Sequence, residues 1–183
     1  MSINSGSYNT LFISETALKN ASIVNANVDM KTLTPTIKLC QDKYLMPVLG
    51  SSLYSDLQNK IASGSLNTNE RFLIDAYLQP CLTWAILNES TIYMSYKYMN
   101  KGVSQQTSEF SNAPTLKELQ FIADKEKSNF DFYSQRLINY LCANKTLYPT
   151  YNVETNIDDT KPSHTGFSSR LYLGDSKSDY RCH

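Results

Sequence analysis

Few residues in this chain have the types and spacing that catalysis or metal binding requires. Its two histidines, His164 and His183, both lie in a polar C-terminal stretch. A Ser–His or Cys–His nucleophile pair would need that stretch folded back onto the rest. No HExxH, GxSxG or GxGxxG pattern occurs, nor a GxxxxGK run followed by Ser or Thr. The six glycines are scattered and build no phosphate-cradling loop. Cys40, Cys81, Cys142 and Cys182 are widely spaced with no CxxC pair, whereas metal sites usually present two ligands from one short loop. Three of the four fall in apolar helical patterns, where a thiol behaves as a small hydrophobe. All four are therefore expected to be reduced, as in an intracellular protein. Asp124, Glu126 and Asp131 alternate with Lys117, Lys125 and Lys127, which reads as a solvated charged face. Asn88 and Glu89 lie along a helical seam and are expected to make interhelical hydrogen bonds. No Glu-x-x-His pair suggests a di-metal bundle. The expectation is a protein that is not an enzyme, without catalytic, cofactor-binding or metal-binding residues.

One cluster raises a binding question. Tyr93, Tyr96 and Tyr98 interleave with Lys97 and Lys101, a pattern that can stack bases and hold phosphates. The chain carries 17 basic and 17 acidic residues, so no broad basic field accompanies the cluster. Tyrosine is also enriched at protein–protein contacts, where it offers area and a polar tip at small entropic cost. With 13 tyrosines in 183 residues, the preferred reading is core packing plus a subunit interface. A helical nucleic-acid-binding or packaging module is the alternative. No apolar run approaches the ~20 residues of a membrane-spanning helix, and MSINSGSYNT lacks the basic start and apolar core of a signal peptide.

The elements that position these residues are helices. Ser14 can cap ETALKNA, and Asp29 can cap MKTLTPTIKLCQDKYL, where Pro35 falls early enough to be tolerated. Leu33, Ile37, Cys40, Tyr44 and Leu45 share one face of that helix. Pro47 and Gly50 interrupt, and Ser51 or Ser52 restarts a helix that ends at Gly64. Asn67 with Glu70 caps a long helix predicted to run to Gly102, kinked at Pro80. Thr115 and Glu118 form a capping box for a helix ending near Asn144, with Leu119, Ile122, Glu126, Phe130, Tyr133, Leu137 and Leu141 down one side. Strand signals are poor. The fold predicted is all-α, a helical bundle of four or five helices with an extended C-terminal arm. Residues 1–12 read as an N-terminal extension, 13–148 as the core and 149–183 as the arm. Ser, Asp, Thr and Lys dominate the arm, so alone it buries too little apolar surface to offset its ordering entropy. Its piece GFSSRLYLGD could add a strand to a neighbour's sheet edge.

Three stretches together are distinctive: PTIKLCQDKYLMPVLGSSLYSDL (35–57), YLQPCLTWAILNES with YKYMNKGV (77–90 and 96–103), and YSQRLINYLCANKTLYPTY (133–151). In this order the chain resembles the head-to-tail connector proteins of tailed bacteriophages, most of all the adaptor, or first ring protein below the portal, of crAss-like phages. The likeness covers about residues 13–151, and its motifs are packing patterns. It implies an all-helical homo-oligomer, usually a dodecamer, that forms a ring on the portal, continues the DNA channel and docks the next ring or tail protein. DNA would pass the lumen without specific binding. The protein would reside in the virion neck after assembly in the host cytoplasm. Members of that family use a C-terminal arm to grip the portal protein, which makes Phe167, Arg170, Leu171, Tyr172 and Leu173 the candidate portal contacts. Tyr93, Tyr96, Lys97, Tyr98, Lys101, Gln105 and Gln106, the last two in the loop 103–114, are the candidate subunit interface. No membrane association is implied.

Overall fold

In a computed structural model, the structure describes residues 10–22, 30–99, 102–105, 114–151 and 160–163. The fold is an all-α helical bundle. Helix α1 spans Glu15–Ala21, α2 Met30–Cys40, α3 Met46–Ser63, α4 Thr68–Leu73, α5 Gln79–Ser95 and α6 Leu116–Ala143. Three of the caps expected from sequence are made, and the fourth, Asp29, lies outside the described residues. Ser14 Oγ accepts from Ala17 N at 3.1 Å, and Asn67–Glu70 and Thr115–Glu118 both form reciprocal capping boxes. Gly64 closes α3 in the left-handed region at φ 69°.

Two prolines that sequence reading takes as breaks are absorbed instead. A π-helical turn, Gln41–Leu45, joins α2 to α3 just before Pro47, and a second, Ile74–Leu78, joins α4 to α5 just before Pro80. In each, the N–H after the turn reaches back five residues, from Met46 to Gln41 O and from Gln79 to Ile74 O. A proline ring inside a regular helix clashes with the carbonyl four residues back. The wider π turn moves that carbonyl, so the kink expected between Tyr77 and Trp84 becomes a bulge upstream of Pro80.

Helix α5 ends earlier than predicted. The chain leaves it at Ser95, and Tyr96–Met99 (β1) pairs antiparallel with Gly102–Gln105 (β2), Tyr96 opposite Gln105 and Tyr98 opposite Val103. Aromatic residues at alternate positions suit a pleated ribbon better than a last helical turn. This two-stranded hairpin is an appendage on the helices.

The core gathers around α5, whose Cys81, Leu82, Ala85 and Ile86 are fully buried. Helix α2 contributes Leu33 and Ile37, α3 Leu49, Leu53 and Leu57, and α6 Phe130, Leu137 and Leu141. At about 25 cal/mol per Å2 each of the Leu, Ile and Phe side chains among these stabilises the fold by ~2 kcal/mol. The core also reaches past the boundaries expected from sequence. Phe12 is buried, with its N–H on Gln41 Oε1 at 2.7 Å. Tyr151, beyond the expected core, is buried too, as is Tyr148 at its edge, whose hydroxyl donates to Asn69 O at 3.1 Å. Cys40 and Cys81 are free, buried thiols; desolvation pushes Cys40 up to about 12 and Cys81 further up. Cys142 corrects the expectation of reduced cysteines throughout: at the half-buried end of α6 it is disulfide-bonded. Cys182 lies outside the described residues.

Helix α3 breaks at Gly50, which is buried and holds φ 74° and ψ 155°, a conformation open essentially to glycine alone. The break is filled by residues 160–163 of the C-terminal segment. Ser51 N donates to Thr160 O at 3.0 Å, Ser163 N to Pro47 O at 2.7 Å, and Thr160 N to Ser51 Oγ at 3.1 Å. A Cβ on Gly50 would stand 2.8 Å from Pro162 Cδ and 2.9 Å from its Cγ. Glycine is required here for both conformation and close approach.

Candidate functional site

Helices α5 and α6 run side by side and separate toward the C-terminal end of α5. Polar pairs hold them there. Asn88 Nδ2 donates to Ala123 O at 2.6 Å, and Thr91 Oγ1 lies 2.6 Å from Glu126 Oε2. The Asn88 bond is the interhelical use expected of it. Glu126 departs from the charged face assigned to it, being 6% exposed. Burial raises the affinity of Glu126 for a proton, and the Thr91 hydrogen bond only partly opposes this. Glu89 bonds in the other direction, accepting from Lys43 Nζ at 2.5 Å and from the Tyr44 hydroxyl. Burial pushes Glu89 up, but donation by Lys43 and Tyr44 and the charge of Lys43 outweigh it and hold the carboxyl below its ordinary value. Tyr44 is pushed up to about 12 by desolvation first and the Glu89 bond second.

Beyond these pairs a groove of about 690 Å3 opens between the two helices. Tyr93, Tyr96, Leu116, Leu119 and Ala123 form its apolar wall, with Glu89, Asp124 and Lys127 among its polar lining. The wall faces solvent: Tyr93 is 46% and Leu116 71% exposed. Lys127 is engaged by Asp131 at 2.9 Å, whereas Asp124 has no ion pair among the described residues. Phe121, Ile122 and Met94 add exposed apolar surface nearby. Ile122, placed in the core stripe by sequence, stands outside it at 44% exposed, turned away from the line of Leu119, Phe130 and Leu137.

Of the candidate interface residues, the structure brings Tyr93 and Tyr96 into this groove. Lys97 and Tyr98 lie in β1 and Gln105 in β2, paired as backbone. Lys101 and Gln106 lie outside the described residues, as do Phe167, Arg170, Leu171, Tyr172, Leu173, His164 and His183. Sequence reading missed Leu116 in the groove and Phe121 on the exposed outer side of α6. The available signal was Phe121 and Phe132, eleven residues apart and thus on one side of α6, opposite the core stripe.

A second exposed cluster sits near the other end of α6. Phe72 is 53% exposed and meets Tyr77 and Tyr140 edge-on at 5.8 and 6.0 Å. Tyr77 and Tyr140 stack at 4.0 Å, and the Arg136 guanidinium lies 4.7 Å from the Tyr77 ring centroid. Among the described residues, no group of three or more His, Cys, Asp and Glu is placed to hold a metal ion, and no helix is long and apolar enough to cross a membrane.

The fold and site together define a helical bundle with an open groove between α5 and α6. The chain belongs to a family of unknown function (DUF6712), whose model matches residues 45–161. That span begins at the end of the first π turn and closes within the segment docked on Gly50. Neither curated proteins nor solved structures yield a match.

Proposed function

We propose that this protein is a structural ring subunit of a tailed-phage neck, joining the portal to the tail and continuing the DNA channel. The observation that carries the reading is the groove, where an otherwise well-packed bundle leaves tyrosine and leucine side chains in solvent. Exposed apolar surface of this kind is characteristic of association sites. The resemblance to connector proteins supplies the kind of assembly. In this reading the homo-oligomer is a dodecamer, the portal and a further ring or tail protein are its neighbours, and it resides in the virion neck. DNA passes through without specific binding, which the balance of 17 basic and 17 acidic residues permits. The docked segment 160–163 fixes the root of the C-terminal arm on α3, and the arm beyond it contacts the portal through Phe167, Arg170, Leu171, Tyr172 and Leu173.

The alternative, a nucleic-acid-binding module, fits less well. Tyr93 and Tyr96 share the groove with Asp124, which repels phosphate, while the charge of Lys127 is already met by Asp131. The test mixes the purified protein with a tailed-phage portal protein and examines the mixture by negative-stain microscopy. Stacked rings are expected, and removing residues 164–183 should weaken docking at least tenfold while leaving the helical circular dichroism intact. A protein that stays monomeric with no portal affinity overturns the reading. Salt-sensitive DNA binding in that case supports the alternative.

A further inference from the structure

We infer that the aromatic cluster around Phe72 on one copy of this chain inserts into the α5–α6 groove of the next copy, making a head-to-tail subunit contact. This rests on the ring reading above and names the surfaces that build the ring.

Three observations carry it. The first is placement. At about 100° of rotation per residue, Leu116, Ala123 and Lys127 continue the line of the buried stripe of α6, whereas Arg136 and Tyr140 stand to one side of it. Groove and cluster are also separated along the helix, with Ala123 and Tyr140 roughly 25 Å apart at ~1.5 Å per residue. Two different surfaces at separate positions on one rigid helix are what a heterologous contact needs. A contact between identical patches needs only one. The second is shape and chemistry. Phe72 projects from a base of stacked rings, and the groove offers an apolar wall of Tyr93, Leu116 and Leu119. An aromatic anchor filling a pocket on its partner is the usual centre of binding energy at protein interfaces.

The third observation is charge. Arg71 and Arg136 flank the aromatic cluster, both exposed, and neither pairs with a carboxylate among the described residues. Arg71 donates to Leu66 O at 3.3 Å, and Arg136 lies over Tyr77. Asp75, also exposed, is ion-paired with neither. The groove presents the opposite sign, since Asp124 has no cation among the described residues and the charge of Lys127 is met by Asp131. Cationic rim and acidic groove are complementary, which sets register between copies as well as affinity.

The experiment places a photoreactive aromatic at the tip of the cluster, Phe72→p-benzoylphenylalanine, in the full-length chain. This chain is mixed with isotope-labelled wild-type chain, alone and with the portal, and irradiated. Mass spectrometry should find the intermolecular link in residues 88–96 or 116–127 of the labelled copy. In parallel, Arg136→Glu should weaken self-association at least tenfold, and adding Asp124→Arg should restore most of it. Rings that form while the link falls elsewhere, or between two copies of residue 72, overturn this contact and leave the ring reading standing. A chain that remains monomeric under all conditions, without cross-links, overturns both.

Discussion

Two places in the molecule leave groups without partners inside their own helices, and they are treated in opposite ways. At the α3 break, Gly50 frees the carbonyl of Pro47 and the N–H of Ser51, and residues 160–163 of the same chain arrive to bond both. At the α5–α6 groove, Tyr93 and Leu116 stay in solvent among the described residues. The break exposes backbone polar groups, which are costly to bury unpaired and so must be satisfied for the bundle to fold. The groove exposes apolar side chains, whose hydration a monomer tolerates and an assembly removes. The first is a folding requirement and the second, on the ring reading, an offer to another chain. Mutations should therefore act on stability at the break and on association at the groove.

The largest expected effect tests the break. Gly50→Ala places a Cβ under 3 Å from Pro162 in a backbone conformation that alone costs ~1–3 kcal/mol for any other residue. With loss of the docked segment, about 3 kcal/mol of stability should go, which lowers the melting temperature by roughly 6–12 °C for a chain of this size. Gly64→Ala is the internal control. It also has positive φ, at 69°, but nothing stands within 4 Å of its added Cβ, so it should cost only about 1 kcal/mol. Equal melting temperatures for the two variants would show that residues 160–163 add nothing at the break. Amide exchange at Ser51 and Ser163 should rise in Gly50→Ala and not in Gly64→Ala.

A smaller effect is expected below the groove. Thr91 Oγ1 lies 3.0 Å from Leu87 O and 2.6 Å from Glu126 Oε2, and one hydroxyl proton cannot serve two acceptors. A protonated Glu126 donating to Thr91 satisfies every group, in keeping with the raised proton affinity that burial imposes. When the folded-state value lies above the unfolded one, near 4.3, the group's stabilisation is complete below that pH. It is lost as pH rises through the folded value. Glu126→Gln supplies a permanent donor and should raise stability at pH 7 by on the order of 1 kcal/mol, a gain that vanishes below about pH 4. Glu89 and Glu118 are shifted downward and titrate with the opposite sign, but they are common to both proteins and cancel in the difference. A clear loss at pH 7 in urea titrations would mean that the ionised carboxylate is the form the fold requires.

The capped helices and the leucine stripes of α2, α3 and α6 were legible because each is a local pattern, read within one or two turns. What escaped is non-local or continuous with helix. Pro47 and Pro80 look like breaks in sequence, since a π turn carries no residue signature of its own. The run Tyr-Lys-Tyr-Met at 96–99 fits either a last helical turn or a short strand, and only its pairing with Gly102–Gln105 decides. The contact of Gly50 with Pro162 joins residues more than a hundred positions apart, beyond any periodicity argument. For the site, Tyr93 and Tyr96 stood out by type. Leu116 did not, because exposure at the start of a helix depends on where its neighbour ends.

The smallest stability effect is the sharpest test of the contrast. Leu116→Ser and Phe121→Ser replace side chains that are 71% and 76% exposed, so each should change unfolding free energy by less than about 0.5 kcal/mol. If the groove receives a neighbouring copy, Leu116→Ser should nonetheless weaken association severalfold, because Leu116 forms part of the wall. Phe121 points from the outer side of α6 and lines no part of the groove. Its replacement should leave contact between copies unchanged and alter only docking of a different protein. Sedimentation equilibrium separates the two, and its outcome depends on the direction a side chain faces rather than on how apolar it is. Equal weakening by both variants would mean that association follows total apolar exposure along α6, and that the groove has no special part in it.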